Sequence, residues 1–225
     1  MEISGNTVSV LKNFAAINSN IVIKPGNSLM TISPAKNILA KAELPETFEN
    51  CIGIYDLQEF LNVLGLVDNP NVKFEENHMV IKSQSGRENL RYYYADIEML
   101  TQPTKPINMP DEDVWFTLDE NTLNSLKRAS AALGTSQFCI EPSSGAIKLS
   151  VFDPENATAN EYSIEVDGGY KEEDFRFILN IANLKMITDT YDVRVSSKLI
   201  SEFKGQNTNV TYWVALEKTS TYGEQ

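Results

Sequence analysis

Between Thr7 and Ile17, Val8, Leu11, Phe14 and Ala15 fall on one side of a 3.6-residue wheel, with Ser9, Lys12 and Asn13 on the other, which predicts an amphipathic helix. Ile21-Val22-Ile23-Lys24, Pro25-Gly26-Asn27-Ser28 and Leu29-Met30-Thr31-Ile32 then read as strand, turn, strand. Ile38 to Leu44 and Cys51 to Tyr55 predict further strands. Asp56 is placed to cap a second helix over Leu57 to Leu66, and two or three strands follow up to Tyr94.

Periodicity stops from Thr101 to Asp113, where Pro103, Pro106 and Pro110 each remove a backbone donor and fix φ. This run predicts an extended connector at residues 101–113, between domains at 1–100 and 114–225. The second half repeats the order of the first. Asp119 or Asn121 caps a helix running to Leu133, with Leu123, Leu126, Ala129 and Ala132 or Leu133 on one side and Lys127 and Arg128 on its polar side. Phe138-Cys139-Ile140-Glu141, a turn at Pro142 to Gly145 and Ala146 to Leu149 overlay the earlier strand, turn, strand when shifted by 117 positions, so that Ile23 falls on Ile140. Phe175 to Leu179 and a short helix near Asn180 to Met186 correspond to Cys51 to Leu66. Strands around Tyr191 to Val195, Lys198 to Phe203 and Asn209 to Leu216 close the chain. A duplicated helix, hairpin, strands, helix, strands unit is an α+β plan: two similar domains, each with two helices on antiparallel sheet.

Composition narrows the function classes. The 225 residues are 42% hydrophobic and 22% charged, which suits a globular chain with a core. No apolar run is long enough to span a membrane, and the first residues lack a basic segment before an apolar one, so a cytosolic setting is expected. Two cysteines, Cys51 and Cys139, form no disulfide framework, and both lie in apolar runs where an inert buried thiol is expected. Nineteen Lys and Arg against 31 Asp and Glu give a net charge of −12, which excludes nucleic-acid binding by net charge and leaves only a local basic surface.

The catalytic inventory is thin. The single histidine, His78, has no second His or Cys placed beside it for a metal. Nucleophile-elbow, phosphate-loop and dinucleotide glycine motifs are missing, and the carboxylates gather in turn-like segments such as Asp153 to Asn156 and Lys171 to Asp174. No enzyme activity, cofactor or metal is expected. Two copies of a unit whose helices carry a polar outer face can form an arc with sheets outside and helices inside. Several arcs can close into a ring through edge strands, with DNA held by being encircled.

Leu11-Lys12-Asn13-Phe14-Ala15-Ala16-Ile17-Asn18-Ser19 followed by Ile21, and Ile54-Tyr55-Asp56-Leu57 with Phe60-Leu61 and Leu64 to Val67, resemble the two opening helices of the DNA polymerase sliding clamps of T-even-type tailed phages. Lys105-Pro106-Ile107 is similar to that family's connector, and Phe175 to Met186 and Tyr212-Trp213-Val214-Ala215-Leu216-Glu217 extend the resemblance over nearly the whole chain. The chain departs from the family pattern most at Phe74 to Leu100 and at Asp153 to Lys171.

The resemblance implies a DNA-clamp fold assembling into a closed homotrimeric ring around duplex DNA, in the cytoplasm of an infected bacterium. It implies tethering of the replicative polymerase through its C-terminal peptide, loading by an ATP-dependent clamp loader, and the family's service in late transcription through adaptor proteins. On this reading Lys12, Lys127, Arg128 and Lys185 are the DNA-facing candidates. Ile107, Met109 and Pro110 of the connector, with Tyr212, Val214 and Leu216 of the last strand, are the candidates for a partner-peptide pocket. The alternatives are a non-enzymatic phage structural or assembly protein built on the same duplicated unit, and an enzyme with a carboxylate pair that no spacing in the chain supports.

Overall fold

A computed structural model describes every residue except Pro106, Pro154, Glu155, Ala157, Glu173, Glu224 and Gln225. Pro106 of the connector and parts of the two acidic turns expected near 154 and 173 therefore lie outside the described residues. The chain divides into two compact units, Met1–Lys105 and Pro106–Gln225, so the division falls within the proline-rich run.

The first unit runs α1 (Gly5–Ile17), β1 (Ile21–Ile23), β2 (Gly26–Ile32), β3 (Ile38–Phe48), β4 (Ile52–Ile54), α2 (Leu57–Leu64), β5 (Asn71–Phe74), β6 (His78–Lys82) and β7 (Asn89–Tyr93). Ser4 caps α1 by accepting from the Thr7 backbone N–H, and Glu46 of β3 accepts from the Ser4 N–H and the Thr7 hydroxyl. Burial opposes charge on Glu46, but these hydrogen bonds outweigh it and lower its pKa. The buried stripe of α1 is Thr7, Val10, Leu11, Phe14 and Ile17 rather than Val8 and Ala15, because this is the face that packs on α2, β2 and β3. Asp56 caps α2 through the Glu59 N–H at 2.9 Å. Leu57, Phe60, Leu61 and Leu64 turn that helix into the core.

Pairing differs from the expected hairpin at the start of the chain. β1 pairs with β4, and β2 pairs with β3; β5, β6 and β7 form an antiparallel meander. The N-terminus lies along β5, with the Met1 ammonium donating to the Val72 carbonyl at 2.8 Å.

The second unit runs β8 (Val114–Leu118), α3 (Glu120–Leu133), β9 (Gln137–Ser143), β10 (Ala146–Val151), β11 (Tyr162–Val166), β12 (Gly168–Tyr170), β13 (Phe175–Asn180), β14 (Tyr191–Ser196), β15 (Ile200–Gly205), β16 (Val210–Ala215) and β17 (Thr221–Tyr222). One sheet is ordered β11-β10-β9-β13-β17. In the other, β12, β8, β14, β15 and β16 are successive neighbours. Asp119 is the cap of α3, accepting from the Thr122 N–H at 2.9 Å and hydroxyl at 2.8 Å, and these bonds lower its pKa. Leu123, Leu126 and Ser130 form the buried stripe of α3, while Leu133 is 36% exposed.

The duplication holds at the level of strand register. Ile21, Val22 and Ile23 face Ile54, Gly53 and Ile52; 117 positions later, Phe138, Cys139 and Ile140 face Leu179, Ile178 and Phe177. The second unit breaks the symmetry at one place. Where α2 has its counterpart, the chain makes a single 3₁₀ turn, Ile181–Asn183, with Asn180 as its cap. The described residues hold three α-helices rather than the four expected. The reason is tertiary: the Leu184 carbonyl accepts from Lys127 Nζ at 2.7 Å, and the Ile187 N–H donates to the Tyr212 hydroxyl at 3.1 Å, while the Ile187 carbonyl accepts from Tyr191. Backbone groups that would close a helical turn are committed elsewhere, and so short a helix has little propensity to resist.

Candidate DNA-facing helices and partner surface

The four DNA-facing candidates sit in unlike settings. Lys12 is exposed on the polar side of α1. Lys127 and Arg128 lie on the solvent side of α3, where Asn121, Asn124 and Ala131 join them along a shallow groove of about 520 Å³. Lys127 is half-buried, its ammonium is held on the Leu184 carbonyl, and burial lowers its pKa. Its charge therefore braces the 181–187 segment as well as facing the groove. Arg128 is exposed, with its guanidinium donating to Ser125 Oγ at 3.2 Å. Lys185 is exposed but stands beyond the 3₁₀ turn rather than on a helix, which corrects its expected position.

The connector residues Ile107, Met109 and Pro110 are each half-buried, as apolar residues on a surface segment can be without joining a core. Tyr212, Val214 and Leu216 are not available to a surface ligand: Tyr212 and Val214 are 0% and Leu216 is 6% exposed. Tyr212 packs edge-to-face on Tyr191 with centroids 6.1 Å apart, and burial pushes its hydroxyl up to about 12. The expectation for β16 was one residue out of step. Side chains alternate across a strand, so the inward set is Val210, Tyr212 and Val214, and the half-exposed set is Thr211, Trp213 and Ala215. Trp213 donates its indole N–H to Glu202 at 2.9 Å. Sequence reasoning missed Trp213 because an aromatic on the outer face conceals the period-two signal.

A partly open, mainly apolar pocket of about 180 Å³ lies in the first unit where the chain enters the connector, lined by Val22, Pro25, Met30 and Pro103, with Lys24 and Ser28 among its polar groups. Cys139 is buried and its thiol is pushed up to about 11, chiefly by burial, which makes it inert. Cys51 is exposed, against expectation, because it precedes β4 at a bend. His78 Nδ1 lies 2.8 Å from Asn77 Oδ1, and among the described residues no cluster of His, Cys, Asp or Glu could hold a metal.

Comparison with known proteins matches this geometry. Residues 4–101 fit the family model of the DNA polymerase processivity factor, and residues 115–218 fit that of the gp45 sliding clamp C-terminal domain. The chain is 32% identical to the sliding clamp of Vibrio phage KVP40 over 222 residues, covering 96% of this chain and 99% of that one. It is 31% identical to the sliding clamp of Enterobacteria phage T4 over 228 residues, covering 99% of each. Among solved structures it resembles the proliferating cell nuclear antigen of Entamoeba histolytica (TM-score 0.68, 14% identity, covering 93% of this chain and 94% of that one). It also resembles the Helicobacter pylori β clamp bound to a DNA ligase peptide (TM-score 0.65, 14% identity); 96% of this chain is covered but only 65% of the β clamp's length. These distant likenesses show the fold, while the phage relatives and the two family models span nearly the whole sequence. The chain belongs to the gp45 family of sliding clamps, the DNA polymerase processivity factors.

Proposed function

We propose that three copies close head-to-tail into a ring that encircles duplex DNA and tethers the replicative polymerase, without catalysis by the chain itself. The observation that carries this reading is a pair of sheet edges that no strand covers among the described residues. β7 ends the β5-β6-β7 meander and β11 ends the second unit's first sheet, and their solvent-exposed side chains include Tyr93 and Tyr162, which are 61% and 39% exposed. An edge of this kind is a template for pairing with another chain, and joining two different edges head-to-tail generates a ring when the rotation closes. A polymerase C-terminal peptide engages the connector around Ile107, Met109 and Pro110, with Trp213 rather than Tyr212 as the aromatic offered by β16. Opening and loading fall to an ATP-dependent clamp loader, late-transcription adaptors use the same surface, and the ring works in the cytoplasm of the infected bacterium.

The direct test is primer extension by the replicative polymerase of a phage with such a clamp, with its loader and ATP. Adding the protein is expected to lengthen products by about tenfold or more, and Ile107→Ala with Met109→Ala to remove most of that gain without changing the assembled mass. Products of unchanged length with the wild-type protein would count against tethering.

The DNA-facing role makes a second prediction. A sliding ring needs weak phosphate contacts without base readout. Arg128→Ala should therefore flatten the salt dependence of low-salt DNA association by about one unit of slope while leaving sequence preference absent. Lys127→Ala should in addition cost about 1 kcal/mol of folding stability, because it strands the Leu184 carbonyl. A salt titration on unmodified and variant protein reads the first effect, and denaturant melts read the second. An unchanged slope in Arg128→Ala would take that residue out of the pore.

A further inference from the structure

On the solvent side of β8, β14, β15 and β16, one cross-strand row holds both tryptophans of the chain. Trp115 faces Arg194, Arg194 faces Glu202, and Glu202 faces Trp213. The outer face of an antiparallel sheet ordinarily carries polar side chains, and large aromatics there are characteristic of contact surfaces. The two indoles differ in what occupies them. Trp213 is half-buried and bonded to Glu202, whereas Trp115 is 42% exposed.

The Trp115 ring is seated on a built bed. Gly169 faces it across the β12–β8 pair, and a Cβ at that position would stand 2.5 Å from Cζ2 and 2.6 Å from Cε2 of the indole. Gly169 thus lets one face of the indole lie against the β12 backbone, leaving the opposite face as the exposed one.

That open face borders a groove of about 400 Å³ lined by Glu112, Thr117, Asp167, Asp192 and Arg194. Its one cation is already satisfied, since Arg194 Nε pairs with Glu112 at 3.1 Å. Among the described residues the cation found over an aromatic face is Arg176, over Phe152, so Arg194 does not cover Trp115. Asp167 is exposed, and Asp192, opposite Lys204, accepts from Gln206 at 2.8 Å; neither forms an ion pair among the described residues. The groove therefore offers a bare indole face beside carboxylates in excess, a surface that repels phosphate and attracts a guanidinium.

We propose that this groove docks an arginine-bearing segment of a partner protein, with the guanidinium stacked on the open face of Trp115 and its N–H groups donating to Asp167 and Asp192. Arginine fits better than lysine because its planar fork stacks and donates at the same time. The surface is complete within one protomer and does not depend on ring closure.

The test is titration of the full protein with a capped pentapeptide, Gly-Arg-Gly-Arg-Gly, followed by calorimetry and tryptophan emission, with the Glu-for-Arg peptide and spermidine as comparison ligands. The arginine peptide is expected to bind and to quench emission. Trp115→Ala should weaken it by about tenfold and Trp115→Phe by less. Asp167→Asn combined with Asp192→Asn, both surface changes that spare the glycine bed, should weaken it by a similar factor, and Trp213→Phe should keep both the affinity and the quenching. Unchanged affinity in Trp115→Ala and in the double Asn variant would overturn the proposal. So would spermidine binding as tightly as the peptide and with the same indifference to Trp115, which would reduce the effect to general attraction by an acidic protein.

Discussion

Tyr93→Asp combined with Tyr162→Asp is expected to convert the assembled protein into a monomer of 25.2 kDa and to abolish its effect on primer extension. The argument is electrostatic and geometric. Each ring interface would bring β7 of one protomer against β11 of the next, and the two exposed tyrosines are large apolar groups standing on those edges. Aromatic anchors at the centre of an interface contribute on the order of 2 kcal/mol or more each. Replacing both with carboxylates removes that contribution and adds charge repulsion between chains that already carry −12. Because every ring contains the interface three times, the loss multiplies. The fold itself should survive, since Tyr93 makes only a tilted ring contact with His78 at 5.5 Å and a marginal 3.5 Å contact from Arg91. A monomeric variant with an unchanged melting transition would meet the expectation. A variant that keeps the wild-type mass would place the interface elsewhere.

Asp189→Ala is expected to lower folding stability by about 3 kcal/mol, the largest loss from a single side chain outside the apolar core. Asp189 is 6% exposed and holds the turn between β15 and β16. Its carboxylate accepts from the Asn207 side-chain amide at 2.7 Å, the Thr208 N–H at 2.8 Å and the Thr208 hydroxyl at 2.7 Å, besides the Asn207 N–H. Gly205 leaves room for it, since a Cβ there would stand 2.6 Å from Asp189 Oδ2. Burial alone would raise the pKa, but the hydrogen bonds from Thr208 and Asn207 outweigh it and hold the group at about 2. The folded pKa lies below the unfolded value of about 3.9, so the stabilisation is complete above that value and is lost as pH falls toward 2. Holding the carboxyl at about 2 rather than about 3.9 corresponds to roughly 2.5 kcal/mol. Asp113, Asp119 and Glu46 are lowered too and act in the same direction. Denaturant melts of Asp189→Asn and wild type between pH 7 and pH 2 separate the Asp189 contribution, which should appear as a shallower acid slope in the variant. Equal slopes would remove Asp189 as the source.

The legible parts of the fold were those decided locally. Asp56 and Asp119 announce helix starts because a carboxylate there meets a free backbone N–H three residues on. The 117-residue repeat was readable because both β1 and β9 are short apolar runs, and it proved to extend to the pairing of β1 with β4 and of β9 with β13. The illegible parts were decided by residues far away in sequence. The helix expected near Asn180 gave way to hydrogen bonds with Lys127 and Tyr212, 57 and 25 positions distant from their partners. β8, β11 and β12 are not legible as strands: the outward Trp115 masks the alternation of β8, β12 spans three residues, and the alternating Tyr162-Ser163-Ile164-Glu165-Val166 of β11 stands alone behind an acidic loop.

The candidate site divides along the same line. The cations of α3 could be placed on its solvent side from helical spacing alone, but the sequence could not reveal that the Lys127 ammonium is spent partly on Leu184. In β16 the face was chosen wrongly because inward and outward sets are both rich in apolar side chains, so only the three-dimensional packing of Tyr212 on Tyr191 settles it. The assembly-protein reading loses its ground, because two sliding-clamp family models match successive halves of the chain.

The most direct measurement is absolute mass by light scattering during size exclusion, at several micromolar concentrations. Three chains of 25.2 kDa predict a species of about 75.6 kDa that falls in mass at high dilution, as a closed ring held by edge strands should. A single species of one chain's mass, persisting at the highest concentration, would contradict the ring and remove the reason for placing Lys12 and Arg128 around DNA.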